Sequence, residues 1–195
     1  MEPVELSGVA RVRLLELRDA LDLYRLVDAE RDRLRPWMPW ADATRSAHDV
    51  SAFIYASRGI CARGPMGVEL GIWVEDRLEG VVGLNRFDWT HRTANLGFWI
   101  SARHEGRGLV TTVSTHLVAH GFDGLKLARI EARADVDNLR SRRTVERLGF
   151  RPEGIARSAE VAPDGSPGRR DIAQYGLLSS DPRPQLAPLN SATTA

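Results

Sequence analysis

The stretch LGFWISARHEGRGLVTT, residues 96–112, decides how the fold is interpreted. Its apolar beginning, 96–101, predicts a strand, and 108–121 predicts a helix with one apolar face. Gly106 and Gly108 lie between them. Glycine lets the backbone approach a ligand closely, and the exposed amides of a helix N-terminus attract a pyrophosphate. The stretch therefore predicts a phosphate-binding loop, although two isolated glycines are also typical of an ordinary tight connection.

The charges and spacing of this loop narrow the choice of ligand. Arg103 and Arg107 add two full positive charges beside the glycines. A P-loop requires Gly-Lys followed by Ser or Thr, and the dinucleotide fingerprint requires a third glycine after Gly108. Neither pattern is present, so nucleotide hydrolysis and hydride transfer both lose support.

Outside this stretch, periodicity predicts alternating strands and helices. The pattern indicates one α+β (mixed α/β) domain over residues 1–179, followed by a disordered Pro-rich tail, 180–195. We expect a sheet of about seven mostly antiparallel strands flanked by four helices. Asp164 and Gly165 predict the last hairpin turn. The predicted strands are 9–15, 68–74, 79–87, 94–101, 129–135, 150–161 and 170–178, and the predicted helices are 18–34, 44 or 46 to 58, 108–121 and 139–148, the last capped by Asp137 or Asn138.

The composition is that of a globular protein, with 43% hydrophobic and 27% charged residues among 195. Twenty-seven basic against 26 acidic residues give a formal charge of +1, which argues against a nucleic-acid partner. A single cysteine, Cys61, excludes an internal disulfide. Residues 1–13 lack the features of a secretory signal, and no run is long and apolar enough for a membrane span. We therefore expect a cytoplasmic protein without a membrane partner.

Several motifs together resemble one known family. Arg103, Gly106 and Gly108 are followed by Asn138, Ser141 and the run Leu148-Gly149-Phe150. These residues resemble the acetyl-coenzyme A motif of the GCN5-related N-acetyltransferases (GNAT). The RimJ and RimL type is similar also in the Trp37-Met38-Pro39-Trp40 loop and in residues 93–100. The resemblance covers about residues 9–178, and it implies a GNAT-like fold with acetyl-CoA as co-substrate.

The resemblance implies where coenzyme A binds. Strand 96–101 should splay from strand 130–135, so that the pantetheine arm lies between them. Backbone groups of the first strand should contact the arm, and amides of residues 106–111 should hold the pyrophosphate. Asn138, at the start of helix 139–148, should contact the pantetheine. The implied coenzyme A contacts are Trp99, Ile100, Arg103, His104, Gly106, Arg107, Gly108, Leu109, Val110, Thr111 and Asn138.

The implied reaction is direct attack of an amine on the thioester. An α-amino group has a pKa of about 8, so a modest base or a water relay can remove its proton. Resemblance to the RimL type makes Glu160 the first choice of base, against the alternative of a solvated edge-strand carboxylate. Ser141 is the implied general acid for the leaving thiolate, against an ordinary polar position in a helix turn. Asn95 departs from the pattern, because relatives often carry glutamate there.

Other side chains supply weaker candidates. Trp37, Met38 and Trp40 either line the acceptor pocket, as the corresponding loop does in the resembled family, or cover the core. His116 and His120 lie four residues apart on one helix without a third ligand, so we expect no metal site. Cys61 has no surrounding histidine pattern, and we expect it to be inert.

The sequence therefore indicates an N-acetyltransferase that prefers a protein or peptide N-terminus. A small-molecule acceptor, such as an antibiotic, a polyamine or an amino-acid derivative, is the alternative, because the same scaffold hosts these activities. A non-catalytic coenzyme A-binding module is the third possibility. The acyl group is open between acetyl and larger groups, and an exposed edge strand would allow a homodimer.

Overall fold

The computed structural model describes residues 4–6, 10–61, 64–162 and 168–184. The predicted hairpin turn at Asp164–Gly165 and tail residues 185–195 lie outside these described residues. The strands of the described ranges are β1 (Val4–Leu6), β2 (Ala10–Leu14), β3 (Ile60–Cys61), β4 (Gly64–Pro65), β5 (Val68–Val74), β6 (Arg77–Asp88), β7 (Thr93–Ile100), β8 (Arg129–Asp135), β9 (Arg151–Val161) and β10 (Arg169–Leu178).

Eight of these strands form one sheet in the order β1-β2-β5-β6-β7-β8-β10-β9, and β3 pairs with β4. All seven predicted strands are present, and β1 adds an eighth at one edge. Among the described pairings, β7 with β8 is parallel and the others are antiparallel. The predicted mixed α+β domain with a mostly antiparallel sheet is confirmed.

The α-helices are α1 (Ala20–Ala29), α2 (Arg31–Leu34), α3 (Trp40–Ala43), α4 (Ala47–Ser57), α5 (Leu109–Ala119) and α6 (Leu139–Arg147). The predicted helix 18–34 is wrong as one element, because the backbone at Glu30 (φ −102°, ψ 4°) leaves the helical region between α1 and α2. One turn of helix, α3, also replaces part of the predicted aromatic loop. Ser46 caps α4 and Asn138 caps α6, each by accepting a hydrogen bond from a backbone amide three residues on.

The sheet is covered on both faces, so the chain has two cores. Even-numbered residues of β5, such as Leu70 and Ile72, pack against α5 and α6. The opposite face, which includes Trp73 of β5 and Val81 of β6, packs against α1 and α4. Because successive residues of a strand alternate between faces, neighbouring positions in β5 enter different cores. We refer to the second face as the α1/α4 face.

The central feature of the sheet is an opening between β7 and β8. Their parallel pairing runs from Thr93–Arg129 to Leu96–Ala132 and ends there. β7 nevertheless continues to Ile100 and β8 to Asp135. The predicted divergence of these two strands is therefore confirmed.

The first residues of the predicted tail contact the domain. The Arg183 guanidinium lies 3.2 Å from an Asp123 carboxylate oxygen and 5.3 Å from the Phe122 ring centroid. Asp181 accepts a hydrogen bond from the Leu178 amide at 2.9 Å. Among the helices described, none has the length and apolar character required to cross a bilayer.

Candidate active site

The loop that follows β7 takes a conformation that requires glycine at two positions. Gly106 has φ +73° and Gly108 has φ +76°, values that other residues adopt only with strain. A Cβ added to either glycine would meet no described atom within 4 Å. The space beside both residues is therefore open to a ligand.

The N-terminus of α5 presents free amide groups to this space. The first backbone hydrogen bond of the helix runs from the Thr112 amide to the Gly108 carbonyl at 2.9 Å. The amides of Leu109, Val110 and Thr111 have no acceptor among the described residues, and the first turn holds no acidic side chain. Unpaired amides at a helix N-terminus bind anions, so this end suits a phosphate.

A buried carboxylate, Glu79, fixes the start of the loop. Its side chain is 1% exposed, and it accepts hydrogen bonds from Ser101 Oγ at 2.7 Å and from Arg103 Nε at 2.9 Å. His104 Nε2 lies 3.8 Å from the same carboxylate. Arg103 and His104 therefore face Glu79. The sequence predicted that the Arg103 charge would attract the ligand, but the Glu79 carboxylate compensates that charge. Arg107 is exposed and has no ion pair with any described residue.

The loop is also tied to the helices on either side of it. Glu105 pairs with Arg33 of α2 at 2.7 Å and with Arg140 of α6. Arg33 also donates to the Ile100 carbonyl. These bonds connect the end of β7 to both neighbouring helices.

The register of β7 shows which backbone groups face the opening. The Ser101 amide donates to the Glu79 carbonyl, so these opposed residues form a hydrogen-bonded pair. Hydrogen-bonded and non-hydrogen-bonded pairs alternate along an antiparallel ladder. Trp99 therefore directs its backbone groups to Val81 on β6, whereas Phe98 and Ile100 direct theirs into the opening. A ligand in the opening would therefore meet the backbone of Phe98 and Ile100, whereas the backbone groups of Trp99, which the sequence also predicted as a contact, face β6.

A cavity of about 880 Å³ joins the opening to the α1/α4 face. Five of the residues singled out in the sequence line it together: Met38, Trp40, Trp99, Ser141 and Glu160. The Trp40 and Trp99 rings lie 6.0 Å apart between centroids. The remaining member of the aromatic loop, Trp37, is not among the lining residues.

Ser141 lies in the first turn of α6, beside the opening. Its backbone amide donates to Asn138 Oδ1 at 3.1 Å, which fixes the start of the helix. Its hydroxyl makes no hydrogen bond to a described residue, and it lines the cavity. The side chain is therefore free to contact a ligand there.

Glu160 lies on β9 with its carboxylate held by two guanidinium groups. Arg133 Nη2 is 3.2 Å and Arg170 Nη2 is 2.9 Å from its two oxygens. Arg170 also lies 3.4 Å from Asp135. The carboxylate lines the cavity, and two positive partners compensate its charge.

Sequence reasoning missed one acidic residue, Glu69 on β5. It lines the cavity and is 6% exposed. Burial raises the pKa of its carboxyl to about 8, and a hydrogen bond from the Asn85 amide partly opposes that rise. In sequence Glu69 alternates with apolar residues, which is typical of a solvent-facing position. Gly83 and Gly97, which lie beside Glu69 on the next two strands, could have indicated a buried carboxyl group, because they leave room for its side chain on the same face of the sheet.

His116 of α5 and His120, which directly follows α5, were considered above as metal ligands. Within the described part of the chain, no three His, Cys, Asp or Glu side chains are grouped as metal ligands. Burial lowers the pKa of the His120 ring, which therefore favours its neutral form.

Comparison with known proteins identifies relatives of this arrangement. The family model described as "Acetyltransferase (GNAT) domain" matches residues 11–151. YdaF of Bacillus subtilis (strain 168), named as a proposed ribosomal N-acetyltransferase, is 32% identical over 170 residues, which are 87% of this chain and 91% of YdaF. The ribosomal-protein-serine acetyltransferase of Escherichia coli (strain K12) is 26% identical over 84% of this chain and 90% of its own.

Solved structures share the fold. RimL, a ribosomal L7/L12 α-N-protein acetyltransferase solved in complex with coenzyme A, superimposes with a TM-score of 0.80. The superposition covers 91% of this chain and 98% of RimL at 19% sequence identity.

We predict that Gly108→Glu weakens coenzyme A binding by at least about tenfold, because it places a carboxylate at the amide end of α5 and forces a side chain onto φ +76°. Calorimetric titration with coenzyme A measures the effect. Gly154→Glu is the matched control, since Gly154 also has positive φ and open space around it but lies on β9. Equal affinities of the two variants would contradict the phosphate assignment.

We also predict that Glu69 makes folding stability depend on pH. Its folded-state pKa of about 8 exceeds the usual value of 4.5, so the folded chain retains a proton that the unfolded chain loses. The free energy of unfolding should therefore fall as pH rises from about 4.5 to about 8. Glu69→Gln removes this cost and should raise Tm by several degrees more at pH 8.5 than at pH 5. The exposed carboxylate variant Glu131→Gln should show no such difference, and an equal shift for Glu69→Gln at both pH values would refute the assignment.

Proposed function

Because this chain belongs to the GNAT acetyltransferases and uses acetyl-CoA to acetylate an amine, we propose that its acceptor is the α-amino group of a protein or peptide N-terminus. The observation that carries the proposal is the cavity that meets the opening between β7 and β8 and extends beneath Trp40 and Trp99. A chain terminus can enter such a cavity. YdaF and the E. coli relative, both named for ribosomal acetylation, support this acceptor class.

Acetyl-CoA binding follows from the loop and the opening. The free amides at the start of α5 and the exposed Arg107 supply the positive field for the pyrophosphate. The backbone groups of Phe98 and the backbone amide of Ile100 supply hydrogen-bond partners for the amide-containing pantetheine arm, whereas the Ile100 carbonyl already accepts a hydrogen bond from Arg33. Asn138, at the start of α6, contacts the arm from the other side of the opening.

The catalytic residues are proposed from the same geometry. Ser141 gives its hydroxyl proton to the leaving thiolate, and the backbone N–H of Phe98 or Ile100 stabilises the tetrahedral oxyanion. The proton of the attacking amine passes either to Glu160 or through a water relay. The two arginine partners of Glu160 hold its carboxylate at the cavity wall.

A small cationic amine is the second candidate acceptor. Three carboxyl side chains, Asp49, Glu69 and Glu160, line the cavity. Carboxyl groups on a cavity wall can accept hydrogen bonds from the ammonium groups of a polyamine or a similar cation.

A thiol-release assay separates these candidates. We expect peptides with a free N-terminus to give a kcat/KM at least about tenfold higher than polyamines, aminoglycosides or N-terminally blocked peptides that contain lysine. The blocked peptide is the matched control for a free peptide of the same sequence, because the two differ only in whether the α-amino group can react. Preference for a polyamine would favour the second candidate, and coenzyme A binding without transfer to any amine would contradict the catalytic proposal.

We expect Ser141→Ala to lower kcat by about 10²–10³-fold with little change in KM for acetyl-CoA, because the thiolate would leave without a proton donor. Steady-state kinetics and coenzyme A titration measure the two effects. Ser51→Ala on α4 is the control, since its hydroxyl bonds only to the Ala47 carbonyl within the described residues. An unchanged kcat for Ser141→Ala would remove this serine from the mechanism.

A further inference from the structure

One row of residues crosses three strands on the α1/α4 face. Glu69 of β5 is paired with Gly83 of β6, and Gly83 is paired with Gly97 of β7. Directly paired residues point to the same side of a sheet. Two adjacent glycines therefore leave a trough that leads from Glu69 to the edge of the opening.

The Glu69 carboxylate lies inside this trough. A Cβ added at Gly83 would overlap the carboxylate, so the side chain bends over β6 towards β7. The Asn85 amide donates to it, and Asn85 Oδ1 in turn accepts a hydrogen bond from Asn95 Nδ2 at 3.4 Å. This hydrogen-bonded row holds the carboxylate above Gly83.

The distance from this position to the opening suits one water molecule. Neighbouring strands lie about 4.7–4.9 Å apart, so a group above Gly97 is one strand spacing from the carboxylate above Gly83. A water that makes two hydrogen bonds of about 2.8 Å spans this separation. An amine above Gly97 would lie at the edge of the opening, where the thioester is proposed to bind.

Glu69 and Glu160 differ in their charged partners. Glu160 binds two guanidinium groups, whereas Glu69 has no cation partner among the described residues. Burial without a counter-charge holds the pKa of Glu69 at about 8, near that of an α-amino group. The other charged residues on the cavity wall are Asp49 of α4, Arg86 of β6, Arg133 of β8 and Glu160 of β9. Beyond β5, Arg13 of β2 is paired with Asp19, and the Arg58 guanidinium at the end of α4 donates to the carbonyl of Leu15, whose amide bonds to the Glu69 carbonyl.

We propose that Glu69 is the catalytic carboxylate that removes the proton of the acceptor ammonium, through one water molecule. This inference rests on the proposed function, because it requires an amine acceptor at the opening. The ammonium gives one proton to the water, which passes a proton to Glu69. The neutral amine attacks the acetyl carbon and the C–S bond breaks. One of the two N–H protons of the amine reaches the thiolate through the Ser141 hydroxyl, and the other stays on the amide product. Glu69 then returns its proton to solvent.

The test is the pH dependence of kcat for wild type and Glu69→Gln. Two peptide acceptors whose α-amino pKa values differ by about one unit identify the part of the kcat–pH profile that reports the amine. The midpoint of that limb of the profile shifts when the peptide is changed. Since the ionised carboxylate is the active form, wild-type kcat should also rise with pH through a peptide-independent limb near pH 8. Glu69→Gln should lose this limb, with kcat lowered about 10²-fold.

Three comparisons make the result decisive. Glu131→Gln should keep the limb and the wild-type rate, and Glu160→Gln should keep the limb whatever its rate. Glu69→Ala should regain part of its rate with added formate, which can occupy the vacated space. A Glu69→Gln variant that keeps the limb or stays within about threefold of wild-type kcat would overturn the proposal, as would loss of the limb in Glu160→Gln. Failure of formate to restore any rate would also overturn it and leave Glu69 a positioning residue.

The result does not depend on which amine is the acceptor. If wild-type enzyme acetylates polyamines and not peptides, the peptide proposal fails, and the same comparison is made with two polyamines of different pKa. Coenzyme A affinity and Tm, measured for each variant, separate a lost proton acceptor from a damaged fold.

Discussion

The end of the β7–β8 pairing at Leu96 and Ala132 is the constraint on which the rest of the structure depends. Parallel strands end at the same edge of a sheet, so the loop before α5 and the start of α6 lie on either side of the opening. Backbone groups that would otherwise pair across the sheet are left for a ligand, because unpaired buried amides and carbonyls are costly. The opening thus brings together the free amides at the start of α5, the Ser141 hydroxyl and the cavity.

The loop obtains its positive potential from the backbone more than from its arginines. Arg103 is paired with the buried Glu79, and Arg33 and Arg140 are paired with Glu105. These ion pairs fix the geometry of the loop and leave Arg107 as its exposed charge without an ion pair in the described ranges. The amides at the start of α5 carry roughly half a unit charge that does not need to be ordered on binding.

The sequence predicted the strands and the glycine-containing turn before α5 well because both depend on local patterns. The alternation of β5 and the glycines at 106 and 108 are visible without knowledge of the neighbours. Pairings between distant residues are not visible, so the contacts of Glu160 with Arg133 and Arg170 were missed. The burial of Glu69 was missed for a related reason. The alternation of apolar and polar residues in β5 predicts that one face of the sheet is exposed to solvent, whereas α1 and α4 cover that face. The break at Glu30 is likewise a backbone feature that the apolar spacing of 18–34 does not show.

Two of the three carboxyl groups that line the cavity, Glu69 and Glu160, show how one sheet can give the same residue type different surroundings. Two guanidinium groups pair with Glu160, which therefore contributes to the structure of the last hairpin. Glu69 is desolvated without a counter-charge, and the fold pays for this with stability above about pH 4.5. Environments that separate the pKa values of paired titratable groups are typical of active sites. The Glu69 carboxyl lowers stability at high pH and has no ion pair among the described residues. A carboxyl group in such surroundings is explained if it must gain and lose a proton during turnover.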